Sequence, residues 1–197
     1  MKTAKSVTMA TAMACLWIMQ CLIPASGTSQ LPTNAPIPKY LQNRPFTLYV
    51  REAGEIVNAP TQDVAVARAY SGWQDKGPLN SGQRITIMTA KREYRTGEQI
   101  RVIHVLEAPE PGYTLYVMGP KPIQQEYVDG TLASPARSDS DYRGAVMMSP
   151  GADFNYEVSL YSFDTPGEHT IQWKGGGHPI QGDLKLTSNV LRITAKE

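Results

Sequence analysis

Three histidines, His104, His169 and His178, and the acidic run containing Asp139 and Asp141 are the side chains of this 197-residue sequence whose types suit catalysis or metal binding. A hydrolase needs a nucleophile held beside a base. The sequence contains neither a G-x-S-x-G elbow nor an H-E-x-x-H pair. His104 falls within the run QIRVIHVLE, on the same face of an extended chain as Ile100, Val102 and Leu106, where a histidine packs and hydrogen-bonds instead of acting as a base. No catalytic residue and no enzyme activity are expected.

Metal and anion sites fare little better. His169 and His178, with Met147 or Met148, offer the imidazole and thioether donors that suit copper, but no two of them stand at a close ligand spacing. Ser138-Asp139-Ser140-Asp141, with Asp153 further on, supplies oxygen ligands of the type calcium takes. The glycine and bidentate glutamate of an EF-hand loop are missing, so a solvated loop is the better reading. Gly175-Gly176-Gly177 could present amides to an anion, yet phosphate loops lie between a strand and a helix, and no helix follows here. No metal and no cofactor are expected. Loops that collect at one end of a sandwich leave Asp139, Asp141, Tyr142, Gly176 and His178 as the candidate binding residues.

The elements that must position these loops are strands. The stretch NYEVSLYSFDTPGEHTIQWK, residues 155–174, alternates, breaks at Pro166-Gly167 and alternates again, which predicts two antiparallel strands joined by a short loop. Alternation places Tyr156 on a face with Val158 and Leu160, and Tyr161 on one with Phe163. Further strands are expected in RITIMTA, QIRVIHVLE, YTLYVMG and QQEYVDG, with turns at Thr96-Gly97 and Asp129-Gly130, and in the closing LKLTSNVLRITAKE. Residues 131–153 read as a long inter-sheet connection that holds at most a short strand, with one short apolar patch at Val146-Met147-Met148, and GGGHPIQGD reads as a loop. Upstream, PFTLYVRE predicts a strand, and DVAVARAY is read as another through Val64 and Val66.

TGEQIRVIHV, TPGEHTIQWK and SNVLRITA resemble strands of bacterial immunoglobulin-like modules across residues 84–197. The resemblance implies an all-β, immunoglobulin-like antiparallel β-sandwich and little chemistry. The cysteine pair that joins the two sheets in antibody domains is absent, and His169 stands near the place of the corner tyrosine.

Before the sandwich, MKTAK, the apolar run from Val7 to Ile23, and Pro24 with Ala25-Ser26-Gly27 have the parts of a secretory signal peptide over residues 1–27. Residues 28–44 read as a Pro-rich flexible lead-in, and residues 45–83 as an N-terminal extension with one or two strands. Both cysteines, Cys15 and Cys21, fall in the leader, so the predicted mature chain has no disulfide. The formal charge of +1 drops to about −1 without Lys2 and Lys5, which argues against nucleic acid as a partner. The expectation is an exported, periplasmic or secreted, non-catalytic domain that binds another envelope or extracellular macromolecule, with no membrane span after cleavage. The alternative is a periplasmic small-ligand or metal-binding accessory protein that uses the sandwich-end loops.

Overall fold

The computed structural model describes residues 37–42, 47–117, 120–134, 145–176 and 184–197. The predicted signal peptide, nearly all of the lead-in, and Asp139, Asp141, Tyr142 and His178 lie outside the described residues.

Most of the described chain is strand, arranged in two main sheets and a small ribbon. In the first sheet β5 (Ile100–Ala108) is central, with β3 (Arg84–Met88) antiparallel on one side. On its other side run β10 (Gly151–Asp153) and β11 (Glu157–Tyr161), through the pairs Asp153↔Leu106 and Ser159↔Val102. Outside β11 lies β1 (Tyr49–Glu52), parallel to it, and then β2 (Glu55–Asn58). The second sheet has the order β4 (Glu93–Arg95), β13 (Lys185–Lys196), β12 (Gly167–Gly176), β7 (Glu126–Val128) and β8 (Thr131–Ser134).

The core between the sheets is built by alternation. Ile85, Ile87, Ile100, Val102 and Leu106 from the first sheet meet Ile171, Trp173, Leu186, Leu191 and Ile193 from the second. The intervening residues of β5, Ile103 and Val105, face the other way and pack with Met88, Val50 and Val158 under a short helical layer. That layer consists of α1 (Lys39–Gln42), α2 (Thr61–Arg68) and a 3-10 turn over Ala69–Gly72. Because both faces of the first sheet are covered, β5 is buried along nearly its whole length, His104 and Glu107 included.

Several expectations are corrected. The sheets are mixed, not antiparallel throughout, since β1 runs parallel to β11 and β4 parallel to β13. DVAVARAY is helical, not extended: Pro60 precedes the first turn, where its fixed φ suits a helix start. The residues buried there are Asp63, Ala67 and Tyr70, a helical spacing, and Asp63 is held by Arg101 Nε at 2.8 Å on β5.

The 155–174 stretch is not a hairpin. β11 pairs with β5 and β1, whereas β12 pairs with β13 and β7, so the chain crosses from one sheet to the other at Pro166-Gly167. Gly167 has φ +142°, a conformation L side chains rarely adopt. Tyr156 is likewise displaced from its expected face. It precedes β11, bridges to Lys121, and packs in the inter-sheet core, while Val158 and Leu160 pack on the helical side. Tyr161 and Phe163 do share the inter-sheet core.

Gly175 and Gly176, expected in a loop, instead end β12 and pair with Leu186 and Lys185. A Cβ on Gly175 would fall 3.3 Å from Ile85 Cδ1 and 3.5 Å from the Trp173 ring, so the missing side chain lets this strand close over the core.

Where the chain crosses between sheets, His169 stacks on Phe163 with ring centroids 3.9 Å apart. Its Nδ1 lies 2.8 Å from Asp129 Oδ2 and its Nε2 3.0 Å from the Thr165 carbonyl. Both neighbours are acceptors, so both ring nitrogens donate and the ring is an imidazolium. The hydrogen bond to Asp129 raises the His169 pKa above its ordinary value of 6.5. A raised value gives stability that is full below the ordinary pKa and is lost as the pH rises through the folded one. Melting followed from pH 6 to 9 is expected to show a loss of about 0.5–1 kcal/mol, discounted because the pair is partly solvated. His169→Phe, which keeps the stack, removes that slope.

Candidate functional site

Three buried polar clusters have the residue types of acid–base chemistry. Between the sheets, His104 Nε2 on β5 meets Glu126 Oε1 on β7 at 2.8 Å, and Tyr161 on β11 donates to Glu126 Oε2 at 2.5 Å. Burial would push the Glu126 carboxyl up, but the His104 imidazole and the hydroxyls of Ser159 and Tyr161 outweigh it and hold the group below its usual range. His104 also lies edge-on to Trp173, with centroids 5.1 Å apart. Both side chains of the His104–Glu126 pair are 0% exposed, so no substrate reaches them. His104 is the hydrogen-bonded packing residue its alternation implied.

The second cluster sits under the helical layer. Glu107 Oε1 accepts from the Tyr40 hydroxyl, and Oε2 accepts from the Tyr70 hydroxyl and from Arg84 Nε, each at 2.6 Å. Burial opposes the charge on Glu107, yet Arg84 and the two hydroxyls keep its pKa lowered. In the third cluster Lys121 Nζ contacts Asp153 Oδ2 and lies 4.6 Å from the centre of the Tyr156 ring. Burial pushes the Lys121 ammonium down to about 7, while the carboxylate against it favours the charged form. All three clusters tie elements together. Their charges were legible as residue types, but nothing local in the sequence shows that Glu107, Glu126 and Lys121 are buried.

Of the sequence-based site residues only Gly176 is among the described ones, at the end of β12. Among the described residues no group of three or more His, Cys, Asp and Glu is placed to hold a metal ion. A cavity of about 300 Å³ lies beside the helical layer, lined by Ile37, Leu41, Gln42, Ala67, Arg68, Tyr70 and Ser71. It is at the small end of the range for ligand pockets.

The surface offers a clearer feature. β6 (Thr114–Val117) and β9 (Ala145–Met148) form a two-stranded antiparallel ribbon, with Thr114 opposite Met148 and Leu115 opposite Met147. Leu115 is buried and Met147 packs on the inter-sheet core. Gly151 makes room for Met147, since a Cβ there would fall 2.6 Å from Met147 Cε. With Met147 turned inward, its neighbours Val146 and Met148 face solvent at 58% and 65% exposure, the largest values among the described large apolar residues. Thr114 is exposed beside them, its Oγ1 3.8 Å from Met148 Sδ.

Neither strand, TLYV or AVMM, carries a charge, and within the described residues each pairs only with the other. Strand edges are normally guarded by charge, proline or a covering element. The sequence flagged the apolar patch at 146–148 but not which of its residues is covered.

Fold and surface together define a mainly β protein of two packed sheets, compatible with a β-sandwich, carrying a helical layer on one face and an exposed apolar ribbon. Comparison with protein-family models, with curated proteins and with solved structures finds no match to this chain. No described helix is long and apolar enough to cross a membrane.

Proposed function

We propose that this protein is an exported, non-catalytic β-sandwich module of immunoglobulin-like kind that binds another envelope or extracellular protein through the β6–β9 ribbon. The observation that carries this reading is the uncharged ribbon itself, with Val146 and Met148 side by side in solvent. Exposed apolar residues elsewhere among the described ones, such as Ile56, Leu79 and Leu132, lie on separate elements. The occupant is an extended, uncharged segment of a partner protein that adds to a ribbon edge by main-chain hydrogen bonds and covers the apolar face. The sealed burial of the His104–Glu126 pair supports a role in holding the sheets, not in chemistry.

The test is cross-linked capture from envelope and secreted fractions with the wild-type protein, the Val146→Asp/Met148→Asp variant and a Leu79→Asp control. Because both ribbon positions are exposed, folding stability is expected to change by no more than about 0.5 kcal/mol. One protein captured by wild type and control, and lost from the ribbon variant, is the expected result. Equal capture by the ribbon variant would sink the proposal.

A further inference from the structure

We infer that Met148 is a redox-sensitive residue, and that its oxidation to the sulfoxide by peroxide converts the ribbon face from apolar to polar and releases the bound partner. The release step rests on the binding reading above; the selectivity of oxidation does not. Of the methionines among the described residues, Met88 is fully buried under the helical layer and Met147 is half-buried against Leu115 and Gly151. Among the described residues, Met148 is the one exposed methionine. Susceptibility to two-electron oxidants follows access to the sulfur, so a peroxide reaches Met148 first.

The chemistry balances without any further reagent. A lone pair of Met148 Sδ attacks one oxygen of hydrogen peroxide, the S–O bond forms and the O–O bond breaks. The sulfur loses two electrons, and the displaced hydroxide takes the proton of the transferred oxygen and leaves as water. The Thr114 hydroxyl, 3.8 Å from Sδ, is placed to donate to the new sulfoxide oxygen. The modified residue is therefore accommodated where it stands, and the fold is unaffected.

What changes is the face. A flexible apolar side chain becomes a polar one beside Val146, and an apolar partner segment would have to bury an S=O group without a partner of its own. The alternation that exposes Met148 keeps Met147 inward, so one modification alters the contact surface and spares the core.

The experiment treats the purified protein with graded hydrogen peroxide and follows each methionine by peptide mapping. Three readouts are taken in parallel: retention on a phenyl-derivatised matrix, the melting temperature, and capture of the cross-linked partner. Expected are oxidation of Met148 at least about tenfold faster than Met88, shorter retention, an unchanged melting temperature and loss of capture. Met148→Leu should bind before and after peroxide, and Met148→Gln should bind in neither case. Oxidation of Met88 at a rate equal to Met148 overturns the inference, as does full capture by protein oxidised at Met148. If the untreated protein captures nothing, the binding reading falls and the release step with it, and the oxidation order shows that the fault lay there. If untreated protein captures and oxidised protein captures equally, only this inference falls.

Discussion

Glu126→Ala is expected to cost about 3–5 kcal/mol of stability, because it opens a cavity between the sheets and leaves the groups that hydrogen-bond this carboxylate without their acceptor. The substitution leaves His104 facing empty space and strips the acceptor from the Tyr161 and Ser159 hydroxyls, all between the sheets. His104, fully buried against Trp173 and the aliphatic core, has no solvent to turn to. Denaturant unfolding followed by Trp fluorescence reads the loss directly. The triple variant His104→Phe/Glu126→Met/Tyr161→Phe, which replaces the polar set by apolar groups of similar volume, is expected to recover most of it. A Glu126→Ala loss below about 1 kcal/mol would mean that the cluster contributes no more than a surface pair.

Arg84→Met is expected to destabilise by a similar amount, about 3–5 kcal/mol, because Glu107 stays buried with only two hydroxyls to hold its charge. Tyr70→Phe removes one of those donors and should cost less, about 1.5–3 kcal/mol. The pH dependence separates this cluster from simple packing. The folded pKa of Glu107 is lowered from the ordinary 4.5, so its contribution is full above that value and is lost as the pH falls through the folded one. Tyr40 and Tyr70 are raised above 10.0, first by burial and then by the neighbouring Glu107 carboxylate. Their protons stabilise the fold below the ordinary value, and that stability is lost as the pH climbs past it. Wild type should thus weaken at both ends of the range, and its advantage over Arg84→Met should shrink as the pH falls and Glu107 takes up a proton. A flat difference between wild type and Arg84→Met from pH 3 to 8 would remove the ion pair from this account.

The helical layer explains why residues 47–72 were hard to read. Its buried positions, Asp63, Ala67 and Tyr70, include an acid that looks like a surface residue until Arg101 is placed opposite it. The exposed face carries Val64 and Val66 only partly covered, and their alternation imitates a strand. Helical spacing was present in the sequence, but the polarity that would have revealed it was hidden by an ion pair with a strand some 40 residues away.

Local features of the chain were legible in the residues. The strands at β3, β5, β7 and β13 follow from alternating or continuous apolar runs between turn residues, and Asp129-Gly130 makes the tight turn of β7–β8 with φ values of +47° and +77°. These depend on the dihedral preferences of a few adjacent residues, so the sequence carries them by itself. Pairing is different. The alternation of residues 155–174 serves a strand equally well whichever neighbour it takes, and only the packed sheets assign β11 to β5 and β12 to β13. The same holds for the candidate surface. Val146, Met147 and Met148 are all apolar, and it is the seat of Met147 beside Leu115 and Gly151 that turns the other two to solvent. Burial is a property of what lies across from a residue, and the chain brings those partners together only when it folds.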